Sequence, residues 1–211
     1  MERIVHKRGT WILAILIVSL TASVTLAGRP GAAVPLQGRF DLPADPDQIV
    51  VKFTERIGEV RSEDMPSVTV YADGRVVRHR ADFMSDPGDY VSTIAASELN
   101  ALVASLDVKG MMRFDAARAR RDVKAAERRR KTVFAASDES RFSFEIHLDA
   151  YQRPGNLIRD KRVHASAAWT GLRADARRFP EIESIQGFAA ACRELDALAA
   201  RVERDAGLAE R

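Results

Sequence analysis

The chain has 211 residues, with 33 Lys and Arg against 30 Asp and Glu and a formal net charge of +3. Its single cysteine, Cys192, excludes an intrachain disulfide, so the fold must rest on packing. Residues 1–27 contain Arg3, Lys7, Arg8 and Glu2, and their removal leaves a formal charge of +1, too little to support general binding to nucleic acid.

The first segment, MERIVHKRGTWILAILIVSLTASVTLAG, places three bases before an apolar run from Trp11 to Leu20, then small residues. That order predicts an export signal over 1–27, with an uncleaved membrane anchor as the alternative. No cysteine lies nearby for lipid attachment. Residues 28–47 are rich in Gly, Pro and Asp and are expected to form a flexible linker. A single domain is expected over 48–205, with a short tail at 206–211.

The domain opens on QIVVKFTE, where Ile49, Val51 and Phe53 alternate with Val50, Lys52 and Thr54 in the manner of a half-buried strand. A hairpin follows in VTVYADGRVVRHR. Asp73-Gly74 suits a two-residue type I′ turn, and that turn sets Tyr71 opposite Val76, Val70 opposite Val77 and Val68 opposite His79. Val68, Val70 and Val77 then share the core face, and Thr69, Tyr71, Val76 and Arg78 the other. After the loop ADFMSDPGDY, Leu99, Leu102, Val103 and Leu106 mark one face of a helix that Gly110 ends.

Arg113 to Lys131 holds nine bases and three acids and reads as a charged helix or a long loop. KTVFAASDESRFSFEIHLD reads as a second hairpin, with Phe142, Phe144, Ile146 and Leu148 on its apolar face. Trp169, Leu172, Ala176 and Phe179 fit a helix stopped near Pro180. Ile185, Phe188, Ala189, Cys192, Leu195, Ala199 and Val202 fit a longer one. Together these elements predict an α+β domain. Its antiparallel sheet has about four to five strands built from hairpins, covered by the C-terminal helices.

QIVVKF, TVYADGRVV and SELNALVASL together resemble small exported bacterial proteins of unknown function. These share a Tyr-x-Asp-Gly-x-Val hairpin followed by an amphipathic helix. TVFAASDESRFSFEIHL is similar to their second hairpin. The resemblance implies a fold and an exported location, periplasmic or secreted, and carries no catalytic or ligand residue.

Motifs for chemistry are sparse. His79, His147 and His164 are far apart in sequence, and none has a His or Cys at metal-ligand spacing, so no metal and no cofactor is expected. His147 shares a strand face with Ser143, Glu145 and Asp149, yet residues i and i+4 on a strand lie about 13 Å apart, too far for a Ser–His couple. Asp86 to Asp89 and the acids Glu55, Glu59, Glu63 and Asp64 read as turns and solvated loop rather than calcium ligands. Cys192 reads as a buried, inert thiol.

The leading functional expectation is a non-enzymatic binding or envelope-associated module. Its partner is an anionic envelope surface or a protein, and the candidate contacts are Tyr71, Arg78, Arg80, Arg128, Arg129 and Arg130. The charge of 113–131 has a competing internal role, since residues 41–112 carry 13 acids and 7 bases that it could offset. The alternatives are an extracytoplasmic hydrolase using His147 or His164 and an inhibitor-like module presenting ADFMSDPGDY.

Overall fold

A computed structural model of the chain describes residues 38–58, 60, 63–131 and 139–208. The export signal or anchor predicted over 1–27, most of the linker, the first arm of the second hairpin and the last tail residues lie outside them. Among the described residues no helix is long and apolar enough to cross a membrane.

The fold is α+β, with a wholly antiparallel sheet of seven strands, more than the four to five expected. The strands are β1 (Arg39–Asp41), β2 (Ile49–Arg56), β3 (Ser67–Tyr71), β4 (Arg75–Arg80), β5 (Gly88–Thr93), β6 (Arg141–Gln152) and β7 (Arg159–Thr170). β6 organises the sheet. Its whole length pairs with β7, while its other edge pairs with β2 from Arg141 to Ile146 and with β1 from Ala150 to Gln152. β2, β3, β4 and β5 then follow as neighbours.

Two strands were not expected. β1 falls inside the predicted linker, so the tether has ended by Arg39. β7 lacks a clean apolar alternation, because its solvent side carries His164 and Ser166 and its core side the small Ala165 and Ala167. Trp169, which spacing places in a helix, is the second-last residue of this strand instead, and Gly171 at φ +75° turns the chain into α3 (Leu172–Arg178).

The opening hairpin is shifted by one residue from its predicted register. Asp73 does not take the positive φ a type I′ turn requires. Instead the Gly74 N–H donates to the Tyr71 carbonyl at 3.0 Å, and Gly74 alone takes a left-handed conformation, at φ +88°. The longer turn pairs Val70 with Val76 and Val68 with Arg78. Since strand side chains alternate, the slip exchanges Val77 for Val76 in the core and turns Arg78 to the helix side. β2 also departs from simple alternation, because an irregularity between Ile49 and Val51 lets Val50 and Val51 both be buried.

The helices are α1 (Ala96–Val108), a 3-10 turn (Met111–Arg113), α2 (Ala116–Arg130), α3 and α4 (Glu183–Asp205). Leu99, Leu102, Val103 and Leu106 of α1 are all buried, as are the seven predicted apolar positions of α4. They close over Val51, Phe53, Val68, Val70, Val76, Phe142, Phe144, Ile146 and Leu148 of the sheet. Phe144 and Phe188 rings meet at 5.1 Å, and Phe114 bridges Phe188 and Trp169. Each such buried side chain contributes about 1.5–3 kcal/mol. The charged stretch is a helix, and it starts where Asp115 accepts the Arg118 N–H at 2.9 Å. Only Ala119, Val123 and Ala126 of α2 are buried.

Candidate functional site

One face of the sheet is covered by helices and the other is largely open. Register identifies the open face: Glu145 pairs with Ser166 and with Lys52, Lys52 with Thr69, Thr69 with Val77, and Val77 with Val91. Val91, at 57 % exposure, marks its solvent side.

On this face His147 and His164 are direct cross-strand partners. Their rings stack with centroids 4.3 Å apart and planes 12° from parallel. Glu145, two residues before His147 and therefore on the same face, places its Oε2 3.8 Å from His147 Nε2. One ligand atom from each of Glu145, His147 and His164 lies within 4.8 Å of the others. The sequence hides this meeting, since 17 positions separate two histidines that only the β6–β7 register makes neighbours. Asp149 does not join them, because its carboxylate accepts the Ala44 N–H at 3.0 Å.

A separate cleft of about 880 Å3 lies among the end of α1, the 3-10 turn, α2 and the start of α4. Four bases and four acids line it, among them Arg113, Arg129, Asp115 and Glu181, and no histidine does. Its balanced charge selects neither anion nor cation.

The six predicted contact residues are distributed over three places. Tyr71 lies under the Arg75 guanidinium, 4.3 Å from its ring centroid. Arg78 and Arg80 point to α4 and share Glu203, at 2.9 and 3.5 Å, with each arginine side chain only 15 % exposed. The expected Tyr71–Arg78 face therefore does not form. Arg128 and Arg129 are exposed at the end of α2, while Arg130 is held by Glu181 at 3.0 Å, by the Arg178 carbonyl and by the Phe179 ring.

His79, expected opposite Val68, sits opposite Ser67 and is gripped by two acids, its β5 partner Asp89 and Asp64 of the loop before β3. Its Nδ1 is 2.6 Å from Asp89 and its Nε2 2.5 Å from Asp64. The Asp89 hydrogen bond is the main cause raising its pKa above the ordinary histidine value; partial burial opposes it and Asp64 adds to it. The Asp64 carboxyl is in turn held below its usual range, first by the Asp82 N–H and then by His79.

The tip of the β6–β7 hairpin was not singled out in the sequence. Leu157 is 96 % and Ile158 66 % exposed, with Arg153, Arg159, Lys161 and Arg162 close by in the chain. A two-residue apolar stretch between bases was the available signal. Arg159 is engaged by Asp41.

Neither a family model nor a curated protein matches the chain.

Proposed function

We propose that the protein is an exported, non-enzymatic module that associates with an anionic envelope surface through the outer side of α2. The observation that carries this reading is where the bases of 113–131 find partners. Among the described residues only Arg113 forms an ion pair with an acid of 41–112, reaching Asp107 at 3.9 Å. Arg118 pairs within α2 and Arg130 with Glu181. Arg121, Lys124 and Arg128 remain exposed on the side away from Ala119, Val123 and Ala126, and Arg129 is exposed where the helix borders the cleft. Internal neutralisation of the acidic half accounts for little of this charge, so its attraction to anionic headgroups or polymers stays available. The order of charge, apolar run and small residues in 1–27 supports export.

Replacing Arg121, Lys124, Arg128 and Arg129 together by Gln is expected to release the protein from anionic vesicles, since each base near such a surface contributes about 1 kcal/mol. Retention equal to that of the parent would overturn the reading. Arg130 is left intact because it serves the fold. The Leu157–Ile158 tip favours lipid over polymer as the surface, and Leu157→Ser with Ile158→Ser tests that choice on the same vesicles. A hydrolase built on His147 or His164 has less support, because the pair lies on a sheet face away from the cleft and Ser143 is four residues from His147.

A further inference from the structure

We propose that Glu145, His147 and His164 form a binding site for a divalent transition-metal ion of the zinc class. Two imidazoles and one carboxylate are a ligand set that borderline metals accept, and three protein ligands leave a position for water. Tetrahedral zinc with bonds of about 2.0–2.2 Å needs ligand atoms roughly 3.4 Å apart. The atoms lie within 4.8 Å of one another, and Glu145 and His147 already approach to 3.8 Å. Closing the difference requires the two imidazoles to turn out of their near-parallel stack, while the β6–β7 register already holds both on one face.

The neighbours define how strong the site can be. Lys52 and Ser166 flank Glu145 on either side, and Asp149 is engaged by the Ala44 backbone. Lys52, the cross-strand partner of Glu145, brings a like charge toward the ion, so the two histidines carry most of the affinity. Imidazole ligands favour zinc and copper(II) over magnesium and calcium, which take oxygen ligands. This site is independent of the α2 surface, and either can fail without the other.

The test is calorimetric titration of the full chain with Zn2+, alongside Mg2+. One Zn2+ per chain with a dissociation constant in the micromolar range is expected, and no Mg2+ binding. His164→Ala should weaken Zn2+ by about tenfold or more, and His147→Ala with His164→Ala should abolish it. His79→Ala should leave it unchanged, because Asp64 and Asp89 already occupy that ring. Co2+ bound in place of Zn2+ should give visible d–d absorption that the double variant lacks. Failure of the parent to bind Zn2+ at about 1 mM, or a double variant that binds as well as the parent, would overturn the proposal. His164→Gln with Glu145→Gln provides a second test should the alanine pair fail to fold.

Discussion

The Tyr151 hydroxyl donates to Asp107 Oδ1 at 2.6 Å, joining the far end of β6 to the last turn of α1 inside the molecule. Asp107 is 1 % exposed, and its other oxygen accepts the Gly38 N–H at 2.7 Å. Burial, followed by the bond to Asp107, raises the Tyr151 phenol well above its ordinary pKa. A buried carboxylate is tolerated here because hydrogen-bond donors reach both its oxygens, with the Arg113 guanidinium at 3.9 Å. Removing Asp107 leaves the Gly38 amide and the Tyr151 hydroxyl unsatisfied. Asp107→Ala should therefore cost about 3 kcal/mol, and Tyr151→Phe about 1–2 kcal/mol, by urea unfolding. A cost below about 1 kcal/mol for Asp107→Ala would show that the network adds nothing net.

The His79 clamp makes stability depend on pH in a defined direction. Only the protonated ring carries an N–H at both nitrogens, as its two carboxylate partners require. Because folding raises its pKa, this contribution is fully present below the unfolded value of about 6.5 and is lost as pH rises through the folded value. Asp64 works in the opposite sense. Its lowered pKa gives a contribution present above about 3.9 and lost as pH falls through the folded value. The stability difference between the parent and His79→Gln should shrink from mildly acidic to mildly alkaline pH. A difference constant across that range would show that the clamp does not titrate.

Gly74 holds the hairpin in its observed register. Its φ of +88° disfavours any side chain, and an added Cβ would run into the Ile94 carbonyl oxygen at the end of β5. Gly74→Ala should destabilise by about 1–3 kcal/mol in thermal or urea unfolding. Asp73→Ala, which removes an exposed bond to the Arg75 N–H and a 3.8 Å surface ion pair to the Arg75 guanidinium, should cost about 1 kcal/mol or less. Equal costs would mean that the left-handed glycine does not decide the turn.

Cys192 lies on the buried stripe of α4 at 5 % exposure, and burial drives its thiol pKa strongly upward. Thiol reagents attack the thiolate. Labelling of the folded protein should be slower than that of the urea-unfolded chain by at least about a hundredfold, as followed by absorbance or mass. Comparable rates would place the thiol at the surface.

The sequence by itself determined the elements with strong period. Phe142, Phe144, Ile146 and Leu148 alternate strictly, and the stripes of α1 and α4 recur at helical spacing, so each had one face that could be buried. It also determined that Asp73-Gly74 makes a turn, but left Arg113 to Lys131 open between helix and loop. Only the tertiary structure decided register. Gly74 permits more than one turn geometry, and the difference of one residue moved Val76 inward, set Arg78 and Arg80 against Glu203 and removed the expected Tyr71–Arg78 surface. β7 was hidden because its core side is partly alanine, which gives a weak alternation signal until β6 provides the surface to match. The histidine pair was hidden for a related reason. Local spacing reports neighbours along the chain, whereas Glu145, His147 and His164 converge only through backbone pairing between two strands.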